Sequence, residues 1–202
     1  MTTCIRPANN IGSSLSFPFF YHMTHKNNLA GILKHGILSH ADVLVRDDVL
    51  AVDISDAGAQ RWRDREESAN HRAIHDYAPL YINPKNPMLF VRRNLQHEIV
   101  ILKISPSVLK DGQHVYSDGN AASRDTKFSS NSNIVADSID ALNAAYWANC
   151  VDGKRRRCAE LLVYPGVQPI HIVSAICNNN ALAKEIAMGA ALQIEVDPSM
   201  FF

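Results

Sequence analysis

The order of helix-like and strand-like segments predicts an α+β protein, and three observations carry that reading. Strand patterns and 3.6-residue helical patterns mix along the chain without a regular strand–helix–strand rhythm, which disfavours a doubly wound parallel sheet. Neither a G-x-G-x-x-G turn nor a P-loop occurs, so the phosphate cradles of such sheets are missing. The 202 residues, 47% hydrophobic and 20% charged, suit one domain (1–202) with a single sizeable core. No internal repeat and no linker divides it.

Residues 1–16 read as a loose leader. Phe17 to Thr24, dense in aromatics, reads as a strand. Asn27 or Asn28 suits a helix cap. Leu29, Ile32 and Leu33 then recur at i, i+3 and i+4 as one buried stripe, and Gly36 stands where a glycine ends a helix. Ser55 suits the cap of a second helix through "DAGAQRWRDREES", whose polar face is dense with arginine. The stretch "HDYAPLYINPKNPMLF" (75–90) contains three prolines, which predicts extended segments with turns at "NPKNP" and no helix. "EIVILKIS" (98–105) is the clearest strand, and "SPSVL" follows as a short helical turn. Residues 111–133, rich in Ser, Asp, Asn and Gly, read as a long loop, a length that goes with function or disorder. Ile139, Leu142 and Tyr146 recur at helical spacing. "AELLVYPG" (159–166) and "PIHIVSAIC" (169–177) read as strands, "NNALAKEIAMGA" as a helix and "LQIEV" as a last strand.

The formal net charge is zero, which argues against a protein held to nucleic acid by a uniform basic field but leaves room for a local basic groove. No apolar run approaches the roughly 20 residues that cross a bilayer. The first ten residues, "MTTCIRPANN", lack the apolar segment of a signal peptide, so a cytoplasmic location is expected. Cys4, Cys150, Cys158 and Cys177 are widely spaced, match no zinc pattern and read as reduced structural thiols.

Polar residues that packing alone does not explain fall in four places: "YHMTH", "QRWRDR", "HDYAPLYINPKNPM" and "CAELLVYPG". Glu160 heads an apolar strand just after the basic run Lys154 to Arg157. It is either a strand-edge charge paired with an arginine, or a carboxylate facing a cleft, where it stabilises positive charge or accepts a proton. His22 beside aromatics is either a satisfied core histidine or a ligand-binding one. "HMTH" is not the HExxH zinc pattern, and no metal is expected. If "RWRDR" is helical, Arg61 and Arg65 share a face and Arg63 points elsewhere, free to turn toward a pocket.

As a set, "YHMTHKNNLAGILKHGIL", "HDYAPLYINPKNPML", "AAYWA" and "AELLVYPG" resemble the DarT family of toxin ADP-ribosyltransferases, which act on nucleic-acid bases. The motifs stand in the family's order over roughly residues 20–165. The resemblance implies a split, mostly antiparallel sheet with flanking helices, gripping NAD in its cleft. It places His22 and Thr24 against the nicotinamide-side ribose and Asn28 near the cofactor. Glu160 matches the catalytic glutamate. Arg63 stands in register with the catalytic arginine, with Arg61 or Arg65 as the other possible equivalents. Met88 matches a methionine near the substrate base. The "VRDDVLAVDISDAGAQ" stretch is longer and more acidic than the family pattern, and the 111–133 loop is this chain's own.

The implied reaction moves ADP-ribose from NAD onto a base of single-stranded DNA, with the same chemistry on RNA as the alternative. A catalytically idle NAD- or nucleic-acid-binding module is the reading from another class. A single strand is expected to be held by phosphate contacts from Arg92, Arg93, Lys154, Arg155, Arg156 and Arg157. Tyr77, Tyr81, Tyr146 or Trp147 are candidates to stack a base. The family resemblance also implies an antitoxin partner, often a macrodomain hydrolase that removes the mark.

Overall fold

Phe20–His25 (β1) lies inside an eight-stranded sheet. The computed structural model describes residues 14–202 apart from 50, 56 and 190. After β1 come Leu29–His35 (α1), Ile37–Leu38 (β2), His40–Val45 (α2) and Ala57–Trp62 (α3). Ala78–Tyr81 (β3), Pro87–Val91 (α4), Ile99–Ile104 (β4), Gln113–Ser117 (β5) and Phe128–Ser129 (β6) follow. The chain continues through Ile139–Asn143 (α5), Gly153–Arg156 (α6), Glu160–Tyr164 (β7) and Gly166–Val167 (β8). It finishes with Ile172–Cys177 (β9), Asn180–Ala187 (α7) and Gln193–Val196 (β10). The large sheet runs β10-β9-β4-β1-β3-β7-β5-β6, antiparallel except where β10 joins β9. Strands β2 and β8 form a separate pair.

The sheet divides between β1 and β3. On one side β1 pairs with β4 over six residues, from Phe20↔Ile104 to His25↔Ile99. On the other it meets β3 at a single pair, Tyr21↔Tyr81. Pro79 supplies a physical reason: it has no N–H to continue the ladder toward β1, and its carbonyl is taken instead by the His22 ring, at 3.0 Å. The two halves therefore diverge past Tyr21, and the polar faces of β1 and β3 look into the gap. Each half is anchored by apolar strand residues that are fully buried, Val100, Leu102 and Ile104 on β4 and Leu161 and Val163 on β7. Burying such side chains stabilises the fold by about 1.5–3 kcal/mol each.

Local choices set the elements around the gap. Gly36 ends α1 with φ +86°, and a Cβ there would lie 2.2 Å from the Val167 carbonyl, so only glycine lets β2 turn back onto β8. The expected proline-barred stretch contains a helix after all. Pro87 occupies the first turn of α4, where a missing N–H is harmless, and the Asn86 side chain caps it by accepting from the Met88 and Leu89 amides.

Other expectations change as well. The segment 111–133 is not one loop: β5 and β6 lie in it, and β5 pairs with β7. Its β-branched and aromatic core, Val115 and Tyr116, outweighs the polar flanks. Helix α5 ends at Asn143, so Tyr146 does not share its stripe and is 72% exposed. Asn28 stands at the N-cap of α1 but makes no cap bond; a 3-10 turn, Lys26–Asn28, precedes it. The cap expected of Ser55 adjoins residue 56, outside the described residues, as do residues 1–13 of the leader and Cys4. Leu15 packs against the core rather than trailing away. Cys150, Cys158 and Cys177 are buried thiols. Among the described residues no helix is long and apolar enough to cross a membrane.

Candidate active site

The gap between β1 and β3 opens into a cavity of about 370 Å³, within the range of small-molecule sites. Its floor is the divided sheet: His22 and Thr24 from β1, Pro79 and Tyr81 from β3. The 3-10 turn before α1 gives Asn28, α2 gives His40, and α4 gives Met88. One wall is the segment 52–55, held in place by two side chains. Asn28 exchanges bonds with the Val52 backbone, 2.7 Å to its N–H and 2.9 Å to its carbonyl. Arg92 donates to the carbonyls of Ile54 and Ser55, each at 2.7 Å.

His22 and Thr24 sit side by side on this floor. Because a carbonyl only accepts, the Pro79 contact fixes the proton of His22 on Nδ1. Burial pushes the ring's pKa below the ordinary histidine value, against the opposing effect of that hydrogen bond. A neutral His22 therefore presents Nε2 as an acceptor. Thr24 accepts from the Asn28 amide at 3.1 Å, which orients its hydroxyl. An acceptor nitrogen beside an oriented hydroxyl that can donate is a pair suited to the hydroxyls of a ribose.

Arg63 stands just beyond the end of α3, its N–H bonded to the Gln60 carbonyl. From there its Nη2 reaches Glu160 on β7, 2.9 and 2.7 Å from the two carboxylate oxygens. Glu160 is 0% exposed, whereas Arg63 lines the cavity. The guanidinium thus lies between the carboxylate and the open space. Burial works against the charge on Arg63, but Glu160, Tyr81 and Cys158 together outweigh it and raise the pKa. Tyr81 is Glu160's register partner across β3 and β7. Its phenol is held protonated well above the ordinary range by burial, with Glu160 adding to the effect. Cys158, two residues before Glu160, is pushed up to about 12 by burial and is not a nucleophile at neutral pH.

Three further groups complete the site. The Ala121 N–H donates to Glu160 Oε1 at 2.9 Å. The Ser117 hydroxyl accepts from the Glu160 N–H at 3.0 Å. Both come from the Ser- and Asp-rich stretch, and a backbone N–H carries no residue-type signal. Gln60, His40 and His75 form a third group on the cavity wall; the two histidine rings lie 4.6 Å apart and His75 Nδ1 meets Asp64 at 2.9 Å. "HDY" carries His75 in plain sight, but only the fold brings Gln60 against it.

The arginine assignments need correcting. Of the three in "RWRDR", Arg63 alone meets Glu160, while Arg65 donates to the carbonyls of Ala121 and Ser123. The run after Asp152 is not a free phosphate-binding strip. Arg155 pairs with Asp118 at 2.7 Å and Asp152 at 2.5 Å. Arg156 is buried against Asp140 and the carbonyls of Asp137 and Val151. Arg157, 5% exposed, donates to the carbonyls of Lys85, Ala141, Leu142 and Ala144. These three close the fold around α5 and α6; Lys154 alone of the run is exposed. Arg92 is likewise engaged with the 52–55 wall, and Arg93 is exposed beside Phe90. Tyr77 is buried, with its hydroxyl on Glu67. Among the described residues no cluster of His, Cys, Asp and Glu is placed to hold a metal ion.

A split antiparallel sheet, a cleft with a neutral histidine and an oriented hydroxyl on one strand, and a glutamate heading another fit the fold class of ADP-ribosyltransferases. Residues 21–202 match the family model described as ssDNA thymidine ADP-ribosyltransferase, DarT. The chain belongs to the DarT family. It is 29% identical over 197 residues to a DNA ADP-ribosyl transferase–DNA ADP-ribosyl glycohydrolase fusion protein of Thermosipho africanus, which covers 92% of this chain and 50% of that protein. The chain thus spans about half the length of that relative. The solved structure of Thermosipho africanus DarTG in complex with ADP-ribose superposes with a TM-score of 0.80 at 26% identity, over 92% of this chain and 51% of the other. Thermus sp. 2.9 DarT in complex with ADP-ribosylated ssDNA shares the fold at a TM-score of 0.78 and 21% identity, over 94% of this chain and 100% of the other.

Proposed function

We propose that this chain is a toxin-like mono-ADP-ribosyltransferase that moves ADP-ribose from NAD onto thymine in single-stranded DNA, and that it acts in the cytoplasm. The observation that carries the reading is the Arg63–Glu160 pair at the wall of the cleft that holds His22 and Thr24. The family description and the ssDNA bound by the Thermus relative support the choice of substrate.

The chemistry follows from charge. When the C1′–nicotinamide bond of NAD breaks, nicotinamide leaves with the bonding electrons and C1′ becomes an oxocarbenium-like cation. A carboxylate beside the ribose stabilises that cation. In DNA the N1 of thymine bears the deoxyribose, so N3 is the ring nitrogen that attacks, and its proton must leave. Glu160 accepts that proton while Arg63 polarises the neighbouring base carbonyl. One C–N bond forms at C1′, one breaks, and the products are ADP-ribosyl-thymine, nicotinamide and a proton. Because Glu160 is covered by Arg63, the guanidinium turns toward the base as the carboxylate comes into use. His22 and Thr24 hold the ribose, and Asn28 and Arg92 keep the 52–55 wall in place. The base must be unstacked to enter, which costs least in a single strand. A DNA ADP-ribosyl glycohydrolase, the second half of the Thermosipho relative, is the antitoxin partner chemistry that this reaction requires.

Incubation with NAD labelled in the adenosine moiety, and with thymine-containing single-stranded DNA, duplex DNA, RNA or protein in separate reactions, tests the reading. Label on the single strand with release of nicotinamide is expected. Label on RNA or protein alone, or none on thymine-containing strands, overturns it.

A further inference from the structure

Resting on that reading, we propose that Phe90, Trp147 and Phe202 form a stacking platform for a nucleotide flanking the target base, with Lys85 and Arg93 contacting its phosphates. Three aromatic rings from distant parts of the chain meet at the surface. Their centroids are 6.1 Å (Phe90–Trp147), 5.2 Å (Phe90–Phe202) and 5.6 Å (Trp147–Phe202) apart, all edge-to-face. Phe90 is 42% exposed and Phe202 46%. Isolated exposed apolar residues are ordinary, whereas three rings gathered into one patch mark a binding surface.

Each ring carries a cation. Arg93 lies 5.0 Å from the Phe90 centroid, Lys85 5.1 Å from Phe202, and Arg157 5.9 Å from Trp147. Among the described residues none of these three forms an ion pair, in contrast to Arg63, Arg155 and Arg156, which all do. Arg157 is tied to backbone carbonyls and serves as scaffold; Arg93 is exposed, and the Lys85 ammonium has one carbonyl partner, Ser199. In a chain of zero net charge, the Lys85 and Arg93 cations without a carboxylate partner thereby flank two exposed rings, Phe90 and Phe202, with the half-buried Trp147 between them. A protein-docking surface excludes charge from its centre and keeps it at the rim. Rings interleaved with cations are how single strands are held, bases on rings and phosphates on cations.

The platform lies around α4 from the cleft: Met88 and Leu89 face the cavity, and Phe90, two residues on from Met88, faces away from it. A strand with its target base in the cleft reaches the rings by crossing α4. Nothing about the NAD side of the site requires them.

The test uses the full chain and the oligonucleotide (dT)10. In a Trp62→Phe background, where Trp147 is the remaining tryptophan, (dT)10 is expected to quench its fluorescence, with a midpoint that shifts upward with salt. Trp147→Ala and Phe90→Ala, checked as folded by circular dichroism, are each expected to raise KM for (dT)10 roughly 10- to 100-fold with kcat held within about twofold. Lys85→Gln with Arg93→Gln, which leaves the rings in place, is expected to flatten the log–log salt slope by about 1.4, two phosphate contacts' worth. Wild-type protein that modifies (dT)10 while the ring variants keep their KM, or while Trp147 shows no quenching, overturns the platform and leaves the transferase reading standing. Failure of the wild type to modify any single strand overturns the transferase reading itself.

Discussion

Arg63 holds both oxygens of Glu160 through one nitrogen, at 2.9 and 2.7 Å, and stands between that carboxylate and the cleft. The Ala121 N–H takes a further bond at Oε1. A carboxylate with no exposure and two donors is rigidly placed, so its position is fixed before any substrate arrives. The same arrangement ties chemistry to stability, because neither partner of a buried pair can be removed without leaving the other uncompensated.

Glu160→Gln keeps the shape and removes the charge. Transfer to single-stranded DNA is expected to fall on the order of 10³-fold, the scale for losing a preorganised charge at a transition state. Glu160→Ala is expected in addition to destabilise the fold by about 3–5 kcal/mol, since the Arg63 cation is left buried without its partner. Transfer assays and thermal unfolding separate the two effects. Near-normal transfer by the glutamine variant would take the carboxylate out of the chemistry.

His22→Ala is expected to weaken NAD binding by about 1–3 kcal/mol, through the lost acceptor for a ribose hydroxyl. The Pro79 carbonyl also loses its partner, so a modest drop in melting temperature should accompany it. Calorimetric titration with NAD measures the first. A folded variant with wild-type NAD affinity would confine His22 to holding β1 against β3.

Acid should destabilise this fold early. Burial is the leading cause that holds His22, His75 and His114 below the ordinary histidine pKa, and at His75 the neighbouring His40 adds to it. In the unfolded chain these rings take up protons near pH ~6.5. Below that pH the unfolded state binds more protons than the folded one, so stability rises with pH across the window. The contribution is complete above ~6.5 and is lost as the pH falls toward and through the depressed folded-state values. Melting temperature should decline between pH 7 and 5, and His22→Asn should make the decline shallower. A flat profile in the wild type would mean that these rings stay accessible to protons in the folded state.

How far the sequence carried the reading depended on what kind of interaction each residue makes. The strands with uninterrupted apolar patterns, β4, β7 and β9, lie where hydrophobic periodicity puts them, because burial on both faces leaves a local signal. Strand β5 was hidden among polar neighbours, and α4 was hidden by a proline that is harmless at a helix start. At the site, His22, Thr24 and Glu160 stand out because their chemistry is unusual for their apolar surroundings. Choosing Arg63 over Arg61 and Arg65 needed the end of α3, since only there does the alternation stop being helical. The backbone donor at Ala121 had no signal at all. The basic run was misread for a simple reason: a sequence shows where cations are, and not where the carbonyls that consume them are.

That last point yields a prediction opposite to what the run of Lys154, Arg155, Arg156 and Arg157 suggests. Arg157 donates through Nη1 to three carbonyls at 2.7–2.9 Å and through Nε to a fourth. Burial lowers its pKa, yet it stays charged at neutral pH. Those carbonyls belong to the end of α5 and to the Lys85 turn, so one side chain ties the end of α5 to the turn that leads into α4. Arg157→Gln removes the charge and most of the donors, leaving buried carbonyls unpaired at about 1–3 kcal/mol each where they cannot relax. The expected outcome is a clear loss of thermal stability, with α4 and the adjoining cavity wall losing amide-exchange protection. Lys154→Gln, at an exposed position of the same run, should leave the melting temperature within about 1–2 °C, a surface change of at most ~0.5 kcal/mol. Measured on the folded fraction, neither variant should flatten the salt dependence of (dT)10 binding as Lys85→Gln with Arg93→Gln does. A stable Arg157→Gln protein with a flattened salt slope would return the run to the nucleic-acid surface.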